Sequence, residues 1–492
     1  QTLTRLLRQS ESHETQRQLS QMLDMDSWGR FSVFQALAAT KHFTWDHNWR
    51  LYYDPWRSKF FPIVWDPVGW DVGPLSAFAV IRTKIFDALF RNGDFLRARD
   101  SAFKEFFDSQ KPITFLKDLS DTIDMMETEI KTDAFLRPAD VTKVTSDMHK
   151  LRKKIQKTFA ATEQEWLNGA ESESRFHFDG NTVTVSVGGY RPVQRLRLLV
   201  DEKLRQSFST SIGHLVPNGR VLTDVSESTK VDGNNIVLNT GLLSNHTVKK
   251  MAGAGNRPLA ELQVSPGYYQ ITFTGLNSDL RLTGLDIDRG DGWIPAQPVE
   301  SITPTVFSQL YAPIAVNTVP EPVIWSGEIT IEGHQILDQP LIIEPGTTVN
   351  LAPKATVVLK HRLTAIGPPE APIRFLSATT DQDPWGAIVL SGRGADGSTL
   401  THCEMSDGSG LKGDLFEYSA MLSIHDVKNV VISDCRFSNN HTVDDMVHAV
   451  YADIRFERVR FENALSDALD LDISTASISD SYFERSGNDA VD

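Results

Sequence analysis

The chain has 492 residues, 40% apolar and 23% charged, with a net charge of −15. That length exceeds what one core organises, so two to four domains are expected. No uninterrupted apolar run nears the ~18 residues that span a bilayer, and an acidic chain lacks the basic patches that nucleic acid demands. The two cysteines are too few for a disulfide-dense module, wrongly spaced for a zinc site, and leave the compartment open.

In chain order, Gln1 opens inside a polar helical stretch with no initiating Met, which reads as a piece of a longer protein. From Ser27 to about Asn168, apolar residues recur at three and four positions, as in Phe31 to Leu37, Ala77 to Phe90 and Phe95 to Phe107. Pro112 opens a further segment through Ile130, Pro138 interrupts, and a basic helix with Lys150, Arg152, Lys153, Lys154 and Lys157 runs to Trp166. That charge run is most simply a solvated face.

Within this region Asp46-His47-Asn48 precedes Trp49-Arg50-Leu51-Tyr52-Tyr53-Asp54-Pro55, which reads as a strand running into a turn. Asp66 follows Asn48 by eighteen residues, in Pro62-Ile63-Val64-Trp65-Asp66. An Asp beside an Asn, then a hairpin delivering a second Asp, is what kinase-type phosphoryl transfer needs: one carboxylate takes the hydroxyl proton while the Asn and the other Asp hold a metal on the phosphates. The plainer reading is that aromatic segments with scattered Asp are common and that Asp-Pro and Asp-Val-Gly-Pro form turns.

These two motifs resemble the core of the CotH (spore-coat protein H) kinase-like family, atypical protein kinases that are secreted or envelope-associated. The resemblance covers roughly residues 1 to 165. It implies that Asp46 is the catalytic base, that Asn48 and Asp66 bind metal and nucleotide, and that the cofactor is ATP with Mg²⁺ or Mn²⁺. The family's second acid in Trp-Asp-x-Asp falls on Val68, leaving Asp71 as an auxiliary, and there is no room before Gln1 for a nucleotide-binding amino-terminal lobe.

Residues 169–300 turn to β character: Asn181 to Val187 alternates and Tyr268 to Phe273 reads as another strand, with Gly-Gly and Pro-Asn-Gly turns between, so a β-sandwich connector is expected. A Pro-rich linker, 301–324, follows. Then a repeat begins: Asn429 to Asn440 recurs as Ala452 to Asn463 and as Ala476 to Ser486, with an earlier copy at Leu400 to Asp407. Phe437, Phe461 and Phe483 are spaced by 24 and 22 residues. Coils of this length bury apolar surface only by stacking in register, which predicts a right-handed parallel β-helix over 325–492 with an internal aromatic ladder. Its opening, Ile329 to Val349, resembles that of pectin-lyase-like helices, and Asp492 falls inside a repeat.

The same period aligns Asp445, Asp467 and Asp489, and likewise His448, Asp470 and Asp492, at 22-residue steps, with Asp472 nearby. Carboxylates stacked at the ~4.8 Å strand spacing repel unless a cation, a proton or backbone donors intervene. Three readings follow: a Ca²⁺ site using Asp467, Asp470, Asp489 and Asp492, paired acids that cleave a polysaccharide, or a ladder of corner turns. His425, His441 and His448 read as isolated imidazoles, solvent-facing or structurally bonded rather than ligands. Lys plus Arg against Asp plus Glu run 24 to 23 over 1–168, 13 to 14 over 169–300 and 12 to 27 over 301–492, so the excess acid lies in this last third.

The expected whole is a multidomain, exported or envelope-associated protein: a helical α+β kinase-like portion (1–168), a β-sandwich (169–300), a linker and a β-helix. Its expected function is transfer of phosphate from ATP to a protein hydroxyl. The alternatives are a non-catalytic surface protein whose β-helix binds cell-wall glycan, and a β-helix polysaccharide lyase or hydrolase.

Overall fold

The computed structural model describes residues 2–40, 42–43, 48–75, 78, 80–81, 83–167, 174–201, 208–216, 219–251, 259–275, 281–305, 310–315, 320–379 and 383–492. Contacts divide the chain into two compact units, residues 1–52 with 60–317, and 53–59 with 318–492. The boundary expected near 168 lies inside the first unit, and the Pro-rich stretch holds the second boundary.

In the first unit, Asp24 caps helix Met25–Leu37 by accepting the Ser27 N–H at 3.0 Å, and Asn92 caps Gly93–Phe107 by accepting from Asp94 and Phe95. The two helices cross closely at Gly29, where a Cβ would lie 2.7 Å from the Ala98 and Arg99 backbone. Pro138 does not merely interrupt; it opens the helix Pro138–Leu167, where its missing N–H costs no helical bond. The helix expected from Ala77 to Phe90 is shorter. Thr83 caps Lys84–Leu89, and before it Val80–Ile81 pairs as a strand with Leu259–Ser265.

A five-stranded antiparallel sheet around Val193–Val200 and a six-stranded sheet around Gly267–Thr274 share one apolar core among the described residues, with Leu196, Leu198 and Leu238 meeting Val185, Ile212 and Ile271. This is the sandwich.

The second unit is a stack of parallel coils. Each coil contributes one short strand to each of three sheets, and each described strand pairs in parallel with its counterpart in the next coil. The first sheet runs from Val323–Trp325 to Thr475–Ser479, the second from Glu328–Ile331 to Tyr482–Ser486, and the third from His334–Leu337 to Asp467–Asp472. Inside, Phe375, Met405, Phe437, Phe461 and Phe483 stand in register, with ring centroids 5.5 Å apart for Phe437–Phe461 and 4.7 Å for Phe461–Phe483. Cys403 and Cys435 occupy equivalent places in neighbouring coils as buried free thiols, the Cys403 N–H lying 3.4 Å from the Cys435 sulfur. The corner turns fall on a different row from the one expected: His402, Asp434, Arg458 and Asp480 share a left-handed backbone with φ of 49°, 54°, 55° and 50°. Asp445 and Asp467 lie in strands instead.

Candidate active site

The motif that resembles a kinase core sits on the hairpin Arg50–Asp54 and Lys59–Ile63 and its flanks. Asp46 lies outside the described residues. Asn48 and Asp66 are brought together by His42, whose Nδ1 is 2.8 Å from the Asn48 side-chain amide, 2.8 Å from the Asp66 carbonyl oxygen and 3.7 Å from its carboxylate. Both adopt left-handed backbone, φ 64° and 47°. Asp71 is exposed; beside it the Trp70 carbonyl accepts from Lys154. A cleft of about 340 Å³ lined by Leu37, Trp70, Phe106, Phe115 and Phe159 lies in the same unit.

The second constellation stands on the third sheet of the β-helix. Asp445 pairs in register with Asp467, and His448 with Asp470, so a 22-residue spacing becomes one strand spacing. One oxygen each of Asp444, Asp445 and Asp467 lie within 4.8 Å of one another, as do ligand atoms of Asp445, His448 and Asp470. These sets offer oxygen and imidazole donors of the kind a divalent cation takes. Asp489 and Asp492, also expected at this site, are exposed at the last coil.

The row is roofed. The short hairpin Leu411–Gly413 and Phe416–Tyr418 covers Val358, Ala387 and Val389 on the outer face of the third sheet. The segment 53–59, turned by Asp54 Oδ1 accepting the N–H groups of Trp56 and Arg57 at 3.0 Å, lies on the next coils. There the Trp56 carbonyl accepts from His425 Nδ1 at 3.1 Å and the Trp56 ring meets His448 edge-on at 6.4 Å. Arg57 sits 3.6 Å above the Tyr451 ring and 3.5 Å from Asp426.

Burial therefore dominates the electrostatics. Asp445, 4% exposed, is pushed up to about 7 by burial and then by the charges of Asp470, Asp444 and Asp467, against a hydrogen bond from Ser419. Asp470 is raised by burial and by Asp472, Asp492 and Asp467, with His448 opposing. Burial drives His425 down to about 3, so it is neutral and gives its Nδ1 proton to Trp56. Asp467 is equally buried but differently bonded: its Oδ1 accepts the Asp489 N–H at 2.7 Å and the Asn488 amide at 3.0 Å. Two carboxyls side by side thus have distinct surroundings, one poor in donors and one rich.

The sequence shows the aspartate rows, but His425 and His448 read from it as isolated, and Ser419, Trp56 and Arg57 carry no signal there. The 22-residue row joining His448 to Asp470 was the available signal. Nothing local to 53–59 marks it as part of a β-helix site.

No protein-family model matches the chain, and no curated protein does. Among solved structures it is similar to catalytic domains of GH87 alpha-1,3-glucanase. One in complex with tetrasaccharides is 14% identical, with a TM-score of 0.25 and 66% of this chain and 56% of that chain covered. Another in complex with nigerose is 13% identical, with a TM-score of 0.18 and 64% and 54% covered. The chain spans just over half the length of those domains, and at such TM-scores the likeness decides neither fold nor chemistry.

Proposed function

We propose that the β-helix, wound in the right-handed sense usual for parallel crossovers, cleaves a glycosidic bond with Asp445 as general acid and Asp467 as the second carboxylate. The observation that carries this reading is the paired register of two buried carboxyls with different surroundings. Asp445 holds its proton to near neutrality while Asp467 is oriented by two donors, and a split of this kind assigns an acid and its partner. The exposed Asp444, Asp472 and Asp489 open the cluster to solvent.

An oxygen separation within 4.8 Å is well short of the ~6.5–9.5 Å at which inverting enzymes hold their carboxyls, so net retention of anomeric configuration is expected. Reducing-end release from a panel of polysaccharides, followed by NMR of the first anomer formed, tests this. Asp445→Asn and Asp467→Asn should each lower turnover by about 10²-fold or more. A panel with no cleavage, or cleavage untouched by both variants, would overturn the assignment; inversion would shift the second role to a more distant acid.

A second reading rests on the meeting of Asn48 and Asp66 at His42. It keeps the CotH-like resemblance: Asn48 and Asp66 would hold the divalent ion that accompanies ATP, and that ion would neutralise charge on the transferred phosphate. Asp66→Ala should then abolish labelling of a protein hydroxyl from ATP, and unchanged labelling would refute it.

A further inference from the structure

Ser419, at the end of the roof hairpin, has its hydroxyl hydrogen-bonded to His448 Nδ1 and to the Asp445 carboxyl. The other imidazole nitrogen, Nε2, is 3.4 Å from Asp472 and 3.7 Å from Asp470. His448 is only 2% exposed, whereas Ser419 is half-buried and Asp472 exposed.

The directions of these bonds follow from donor and acceptor inventory. An ionised Asp472 can only accept, so Nε2 carries the ring proton and Nδ1 presents its lone pair to Ser419. The Ser419 O–H can then donate to Nδ1, with the Asp445 carboxyl as its competing acceptor. One hydroxyl is thus aimed at a base whose far nitrogen is held by a carboxylate, the arrangement that activates a serine nucleophile. Relative to the common form of that relay the two ring nitrogens exchange roles, which the chemistry permits because either can be the base.

We propose that Ser419, His448 and Asp472 form an acyl-transfer site that hydrolyses an ester of a hydroxyl group. Ser419 Oγ bonds to the ester carbonyl carbon while its proton passes to His448 Nδ1. The carbon–oxygen bond to the alcohol breaks, and the alcohol leaves with that proton. Water, deprotonated by the same nitrogen, then attacks the acyl-serine; the carbon–Oγ bond breaks, Oγ regains the proton, and the carboxylic acid departs. Asp472 is a positioning residue. The proposal does not require glycosidic cleavage, although both readings place chemistry on the same stretch of the third sheet.

The full chain should react with a fluorophosphonate probe, with the adduct on the Ser419 peptide by mass spectrometry, and should hydrolyse p-nitrophenyl acetate. Ser419→Ala should remove both signals, and His448→Gln should lower them by about 10³-fold. Asp472→Asn should slow labelling while Asp472→Glu restores most of it, which a purely structural role would not produce. No adduct at Ser419, or ester cleavage surviving Ser419→Ala in a folded variant, overturns the proposal. Ester cleavage without glycosidic cleavage supports it and sinks the glycosidase reading; the converse does the reverse.

Discussion

Replacing Asp470 by Asn removes a charge next to Asp445 while keeping side-chain shape, so it isolates the electrostatic part of the cluster. Ligand atoms of the two residues lie within 4.8 Å. At that distance two unit charges interact by about 0.9 kcal/mol at the dielectric of water and about 3.5 kcal/mol at an effective value near 20. Asp470 is 22% exposed, which favours the lower end, so Asp445 should titrate about one unit lower in the variant. Because Asp445 is raised to about 7 in the fold, its contribution to stability is full below the unfolded carboxyl value near 4 and is lost as pH rises through about 7. In Asp470→Asn that loss ends nearer pH 6 and is smaller, so the variant should gain on the parent above pH 7. Carbon-13 NMR of labelled aspartate carboxyls, assigned with Asp445→Asn, gives the midpoint, and thermal unfolding from pH 4 to 8 gives the stability. An Asp445 midpoint that stays put or rises in the variant would refute the reasoning.

Phe461 is fully buried between Phe437 and Phe483, so Phe461→Ala should destabilise the β-helix by about 3–5 kcal/mol in denaturant unfolding; a loss below about 1 kcal/mol would mean the ladder does not carry core packing. Gly29→Ala drives a methyl into the Ala98 backbone and should cost about 1–3 kcal/mol, whereas a neutral change would contradict the close crossing. Thiol titration of the native chain should find no fast group, since hydrogen bonding to Cys435 and burial raise the Cys403 thiol, and denaturation without reductant should expose two.

The β-helix was legible because its constraint is repetitive: one apolar position per strand, returning every 22 to 24 residues, needs no knowledge of distant parts of the chain. The sandwich was legible from alternation at Asn181 to Val187. What stayed hidden depended on contacts between segments remote in sequence. Val80–Ile81 became a strand because Leu259–Ser265 offered it a partner. His448 and His425 became site residues because 53–59 and the hairpin near Phe416 bury them, although 53–59 lies some 370 residues away, the separation of His425 from Trp56 being 369. The turn ladder was placed on the wrong row because Asp favours turns over strands, whereas Asp445 and Asp467 lie in strands and the corners fall on the row of His402, Asp434, Arg458 and Asp480.

One local feature makes the site possible at all. Strict alternation along Asp445–Val450 would send Asp445 and His448, three apart, to opposite faces. Here Met446 and Val447 both enter the core, and Met446 has no register partner between the pairs Asp445↔Asp467 and Val447↔Leu469. The same doubling occurs at Met421 and Leu422 and at Ala468 and Leu469, with the register again skipping a position between Ala420 and Leu422. A break in alternation of this kind, with the offset between strands unchanged on either side, re-aims the side chains beside it. It puts Asp445 on the face of His448, and Asp467 on the face of Asp470, where the roof can bury them together. Because the irregularity is shared by successive coils, it keeps their pairing intact on either side, so the carboxylates stack at the site without breaking the core beneath them.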